Sequence, residues 1–127
     1  MHTAKPTAKS ILLVEDSPEL QQSYNDLLTS EQYLVEVVST GTAALTALQK
    51  KAPDMILLDI MLPGGMNGWD VLKHIRTQET TQSTPVIVLT NLSSENQVAR
   101  ELGATSYVVK ANTPADELLK LIKHLLY

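Results

Sequence analysis

Cysteine is absent from this chain, its apolar runs are short, and its basic residues are few and scattered. Without cysteine there is no disulfide framework and no thiolate metal site, which is compatible with a reducing cytosol. No run approaches the roughly 20 apolar residues that cross a bilayer, so no membrane partner is expected. Met1 to Lys9 carries two lysines, but Ile11 to Val14 behind them is too short for the apolar core of a signal peptide. A cytoplasmic protein with a loose polar leader over residues 1–9 is expected. The formal net charge is −4, and apart from Lys50-Lys51 the basic residues stand alone. A nucleic-acid footprint needs a clustered basic face, so no direct nucleic-acid contact is expected.

What is present is an ordinary globular composition in 127 residues, 43% hydrophobic and 19% charged, a length that can bury one core. Three runs are apolar without alternation: Ile11 to Val14, Met55 to Leu58 and Val86 to Leu89. Leu34 to Val38 and Tyr107 to Val109 are shorter or mixed. Continuous runs of this kind suit strands buried on both faces of a parallel sheet.

Helical spacing fills the intervals. Leu20, Tyr24, Leu27 and Leu28 form one stripe; Ala44, Leu45 and Leu48 a second; Val71, Leu72 and Ile75 a third; Val98 with Leu102 a weak fourth. The last stripe, from Leu118 to Leu126, is broad, with Thr113 as its expected cap, Pro114 at the first helical position and Asp116 completing a capping box. Gly103 suits the end of the fourth helix, while Gly41 and Gly68 read as loop punctuation. Strand then helix, five times, predicts a three-layer doubly wound α/β domain over residues 10–127. No linker, repeat or low-complexity tract divides it.

Ligands of an open α/β sheet bind outside the carboxyl ends of its strands. Glu15 and Asp16 follow the first run, Asp59 the third, Thr90 the fourth and Lys110 the fifth. Each has a plain structural explanation: Asp16 as a helix cap, Asp59 as a turn residue, Thr90 as a strand former, Lys110 as an exposed end. Their convergence is what those explanations leave unaccounted for. Gathered carboxylates repel unless a cation intervenes, and hard oxygen donors suit Mg²⁺ (or Mn²⁺). His2, His74 and His124 are too far apart in sequence to suggest a histidine site, and the last two are expected on exposed helix faces. A carboxylate nucleophile, a divalent cation, an ammonium and a hydroxyl make a phosphoryl-transfer set. Asp59 is the best nucleophile because it ends the most apolar strand, expected at the sheet centre; Glu15 and Asp16 are better placed to share the metal.

Four segments resemble the receiver-domain family of response regulators: Ile11 to Asp16, Pro53 to Pro63, Pro85 to Thr90 and Gly103 to Lys110. The resemblance covers about residues 9–126 and implies a flavodoxin-like five-stranded parallel sheet of order 2-1-3-4-5. It implies that Asp59 is phosphorylated, that Asp16, Asp59 and the Met61 carbonyl bind Mg²⁺ directly, and that Glu15 acts through a water. Thr90 and Lys110 would bind the phosphoryl group, and Thr90 and Tyr107 would form the switch, although Tyr107 also fits a plain strand-edge filler. The phosphoryl donor would be a sensor histidine kinase, a histidine phosphotransfer protein or a small phosphodonor. The domain would catalyse only its own phosphorylation and dephosphorylation, and so is not otherwise an enzyme. A downstream effector or a fused output domain would read the changed α4-β5-α5 face, and a homodimer through the fourth helix is open on the same grounds.

Three positions depart from the family's pattern. Ala111 stands where a cis-proline usually follows the lysine; a cis bond without proline costs roughly 3 kcal/mol, pointing to a trans or strained loop. The segment Pro63 to Gly68 is one residue longer than usual, which Gly64 or Gly65 would absorb at positive φ. Asn91 replaces a small residue beside Thr90 and would narrow the phosphoryl site. Met61 and Leu92 are apolar where a polar side chain could orient water, so a long-lived phosphoryl group is expected.

Three other readings compete. A receiver-like docking module that acts without phosphorylation would need none of the five polar residues. A haloacid-dehalogenase-type phosphatase would need an aspartate where Met61 stands, and a flavodoxin-like cofactor site would place phosphate against Glu15 and Asp16. Tyr127 follows the fifth predicted helix directly, leaving a stand-alone regulator and a domain of a longer protein both open.

Overall fold

The computed structural model describes residues 8–127, so the leader expected at 1–9, and His2 with it, falls almost wholly outside the described residues. Five strands, β1 (Ser10–Val14), β2 (Leu34–Val38), β3 (Met55–Asp59), β4 (Val86–Thr90) and β5 (Ser106–Val109), alternate with five helices. The helices are α1 (Pro18–Ser30), α2 (Gly41–Lys50), α3 (Gly68–Thr77), α4 (Asn96–Glu101) and α5 (Ala115–Leu126). All strand pairs are parallel, in the order β2-β1-β3-β4-β5. This is the doubly wound sheet expected from the sequence, with β3 at its centre.

The continuous apolar runs are explained by two cores, one on each face. Alternate residues of β1 and β3 (Leu12, Val14, Ile56, Leu58) pack with Ala44, Leu72, Ile75 and Ala99 of α2, α3 and α4. Their neighbours (Ile11, Leu13, Met55, Leu57) pack with Leu28, Leu118 and Ile122 of α1 and α5. Both parities are buried, so period-two alternation disappears. β2 is an edge strand with Leu34 and Glu36 exposed, and its mixed composition follows from that position.

Local chemistry sets the helix starts. The Ser17 hydroxyl accepts from Leu20 N–H, Thr40 caps α2 through Ala43 N–H, and Asn67 with Asp70 forms a capping box on α3. Four expectations need correction. Ser17, not Asp16, caps α1. α5 begins one residue later than predicted: Pro114 occupies the cap position and the Thr113 hydroxyl donates to the Val109 carbonyl instead. In α4 the buried residue is Ala99, while Val98 faces outward. Gly41 and Gly68 are the first residues of α2 and α3 rather than loop residues. Of the expected exposed histidines, His124 is exposed and His74 is half-buried.

Arg76, near the end of α3, closes the opposite end of the sheet from the strand tips. Its guanidinium donates to the carbonyls of Gly103 (2.8 Å), Thr84 (2.7 Å), Gln82 (3.2 Å) and Thr81 (3.3 Å), and to the Thr105 hydroxyl (3.4 Å). Burial lowers its pKa. Gly103, at φ +96°, supplies the left-handed residue that ends the α4 segment, as its sequence position suggested.

A Cβ on Gly68 would lie 2.3 Å from the Asp59 carbonyl oxygen and 2.6 Å from the Ile60 Cα, backbone atoms with no freedom to yield. Gly68→Ala is therefore expected to lower stability by about 3 kcal/mol, seen as a lower urea midpoint. Gly65→Ala, where an added Cβ meets nothing within 4 Å, serves as the near-neutral control.

Candidate functional site

Parallel strands end on the same side, so the residues after β1, β3, β4 and β5 are brought to one crevice. Glu15, Asp16 and Asp59 each present a carboxylate oxygen, all within 4.8 Å of one another. Glu15 is 1% exposed and Asp59 4%, whereas Asp16 is exposed. The Lys110 ammonium reaches in from the end of β5 and donates to Glu15 Oε1 at 2.6 Å and to Asp59 Oδ2 at 3.0 Å. The plain reading of Lys110 as an exposed chain end is thus overturned.

The electrostatics follow from burial. Burial pushes the Glu15 carboxyl above its ordinary pKa, and the hydrogen bonds from Lys110 and from the Ser17 N–H oppose that rise only in part. Burial alone would lower the Lys110 pKa, but the hydrogen bonds to Glu15 and Asp59 outweigh it and hold the ammonium above its usual value. The second Asp59 oxygen, Oδ1, accepts from the Met61 N–H at 3.1 Å. Asp59 therefore does serve its turn, as the plain reading held, while its other oxygen faces the cluster.

Thr90 is fully buried at the end of β4, and its Oγ1 accepts from the Leu92 N–H at 3.2 Å. Its own hydroxyl proton is left for a second partner. The Tyr107 hydroxyl donates to the Leu92 carbonyl, so Thr90 and Tyr107 grip the two sides of one residue. Tyr107 also packs against the core beneath α4, which fits the plain strand-edge reading as well.

The loop after Asp59 is open. Met61 is 63% exposed, and Gly64, at φ +86°, takes up the extra residue while Gly65 keeps an ordinary φ. The peptide bond after Lys110 is trans, and Ala111 lies in a single 3-10 turn spanning Lys110–Asn112. Asn91 is exposed. Two contributors were invisible in the sequence. Ser17 donates its N–H to Glu15 Oε2, and Gln21 on α1 donates to the Glu15 carbonyl. Neither stands at a strand end, which was the signal that found the others.

The donor set fits a hard divalent cation. Three carboxylates converge, sulfur and imidazole donors are missing from the cluster, and the local negative charge exceeds what one ammonium balances.

Comparison with known proteins agrees with this geometry. Residues 11–123 match the family described as response regulator receiver domain. Sensory transduction protein RegX3 of Mycobacterium tuberculosis is 41% identical over 119 residues, 92% of this chain and 50% of RegX3. The chain thus spans about half the length of the curated relatives it matches. The chemotaxis response regulator CheY4 of Vibrio cholerae superposes with a TM-score of 0.87 at 32% identity, covering 94% of this chain and 100% of CheY4. The receiver domain of the sensor histidine kinase PA1611 of Pseudomonas aeruginosa has a TM-score of 0.85 at 30% identity, with coverages of 94% and 98%. Its crystal structure holds a magnesium ion in the active-site cleft.

The Lys110 bridge is testable through pH. Glu15, raised in the folded chain, favours folding while protonated, and that contribution is lost as pH rises through its raised value. Lys110, also raised, contributes fully below the pKa of a free lysine and loses its contribution only in alkali. Lys110→Met is expected to cost about 3 kcal/mol near neutral pH, because it strands two buried carboxylates. Urea unfolding at mildly acid pH should show a smaller cost, since Glu15 then takes up a proton. An equal cost at both pH values would contradict the assigned electrostatics.

Proposed function

Because this chain belongs to the response-regulator receiver family of two-component signalling, we propose that it is a switch set by phosphorylation of Asp59. The observation that carries this reading is the Lys110 ammonium held 3.0 Å from Asp59 Oδ2 beside two further carboxylates. A buried acid cluster is costly and docking alone has no use for it. Phosphoryl transfer uses every part of it.

In the proposed reaction a carboxylate oxygen of Asp59 attacks phosphorus and forms the P–O bond of an aspartyl phosphate as the bond from phosphorus to the donor breaks. This releases imidazole from a phosphohistidine or the carboxylate from an acyl phosphate. The donor is a histidine kinase, a histidine phosphotransfer protein or a small phosphodonor. Lys110 moves its hydrogen bonds from carboxylate to phosphoryl oxygen, which places its charge where negative charge gathers. Thr90 donates its free hydroxyl proton to another phosphoryl oxygen. Mg²⁺ (or Mn²⁺), held by Asp16, Asp59 and the Met61 carbonyl with Glu15 acting through water, would neutralise the remaining phosphoryl charge when bound.

The link from Thr90 to Leu92 to Tyr107 supports the switch. As Thr90 turns toward the phosphoryl group it releases the Leu92 N–H, and the other side of that residue is held by Tyr107. A local charge event thereby biases the packing of α4 against β5. The face formed by α4, β5 and α5 then meets the next component, an effector protein, an output domain on the same chain or a second copy.

Incubation with acetyl phosphate and Mg²⁺ is expected to add one phosphoryl group by intact mass. The adduct should vanish with chelator and in Asp59→Asn. Failure to form it, even with a cognate kinase supplied, would instead favour a docking module that acts without phosphorylation. Met61 and Leu92 offer no polar group to orient water, so the adduct should persist for minutes or longer, and decay within seconds would refute that expectation.

A further inference from the structure

Three of the four polar groups of Glu15 are held by the strand ladder's continuation, by Lys110 and by Ser17. Its N–H donates to the Val38 carbonyl at 3.0 Å, Oε1 accepts from Lys110 and Oε2 from the Ser17 N–H. Its carbonyl lies between the end of β1 at Val14 and the start of α1 at Pro18, where neither ladder nor helix satisfies it. The Gln21 side-chain amide does so: Nε2 donates to that carbonyl at 2.5 Å and to Ser39 Oγ, beyond the end of β2, at 2.9 Å.

The Glu15 carbonyl and the Asp16 N–H belong to one rigid peptide plane. Fixing the oxygen fixes the plane and with it the Asp16 N–Cα bond, the axis about which the Asp16 side chain is set. This leaves φ as the one backbone rotation between the anchored plane and that side chain. Asp16 needs this help. It is exposed, and among the described residues its carboxylate takes part in no hydrogen bond or ion pair. Glu15 and Asp59 are held directly by Lys110; the nearest anchor to Asp16 is the Glu15 carbonyl before it.

We propose that Gln21 is a positioning residue for the cation site, aiming the Asp16 carboxylate through the peptide plane it shares with Glu15. The anchor for Gln21 is Ser39, so the turn carrying the two acids is tied to the end of the neighbouring strand. This rests on the reading of the carboxylate cluster as a Mg²⁺ site. Partners that orient metal ligands typically change affinity by 10- to 100-fold when removed. Gln21 acts on one ligand of several, so about a tenfold loss is expected.

The test is calorimetric titration with Mg²⁺ alone on the full chain, comparing wild type, Gln21→Leu, Ser39→Ala and the double variant. Gln21→Leu should weaken binding about tenfold, Ser39→Ala less, and the double variant no more than Gln21→Leu, because both changes act along one path. Amide hydrogen exchange without added cation supplies a second readout. The Glu15 amide, which donates to the Val38 carbonyl at 3.0 Å, should exchange faster in Gln21→Leu and in Ser39→Ala, while the amides of Leu13 and Leu57 in the core should keep their protection. A wild type that fails to bind Mg²⁺ would overturn the reading of the cluster. A wild type that binds, with both single variants binding equally well, would overturn the role of Gln21 alone. If Gln21→Leu unfolds, Ser39→Ala decides: unaltered affinity and unaltered Glu15 amide exchange would sink the proposal.

Discussion

Everything at the working end of this molecule depends on one ammonium shared between two carboxylates. Glu15 and Asp59 end neighbouring strands of a sheet whose residues are buried on both faces, so their charges have little water to answer them. Lys110 arrives from the far side of the sheet, two strands away from β3, and touches both. That single contact closes the crevice across β1, β3 and β5 and makes a concentration of negative charge tolerable. Ordinary globular composition hides it, since only the parallel arrangement makes residues 15, 59 and 110 neighbours.

The fold was legible because a two-sided parallel sheet leaves an unusual trace. Runs such as Met55 to Leu58 have no polar interruption, and only a strand covered on both faces has need of that. Helix details were less legible where several residues compete for one role. Thr113 looked like a cap, but its hydroxyl turns back to the Val109 carbonyl and α5 starts after Pro114. Val98 looked like the buried residue of α4, yet in a helix of six residues one small contact, Ala99, is enough to seat it. Gly41 and Gly68 looked like loop breakers because close packing against backbone or against Met66 carries no sequence pattern.

The site was legible for a related reason. Polar residues standing directly after apolar runs are rare enough to be noticed, and sheet topology converts that shared position into proximity. What escaped was everything reached sideways. Gln21 lies in the second turn of α1 with an unremarkable composition around it, and its partner Ser39 belongs to another strand's end. The path from Thr90 through Leu92 to Tyr107 likewise depends on which way a loop residue turns its two polar groups, which sequence spacing does not encode.

Arg76 has a mechanical consequence. It gathers four carbonyls and a hydroxyl at the end of the sheet where β4 and β5 begin, about 16 Å from the strand tips at roughly 3.3 Å per residue. Among the described residues its charge is met by these carbonyl dipoles rather than by a carboxylate, so protonation changes near neutral pH leave the joint untouched. The upper end of β4 carries Thr90, which is linked through Leu92 to Tyr107 on β5. The α4 segment is therefore tied at the Gly103 end to Arg76, while its start at Asn96 follows the turn that carries Leu92. Under the proposed switch, a displacement at the Thr90 turn would tilt the helix about that tie rather than slide the whole layer.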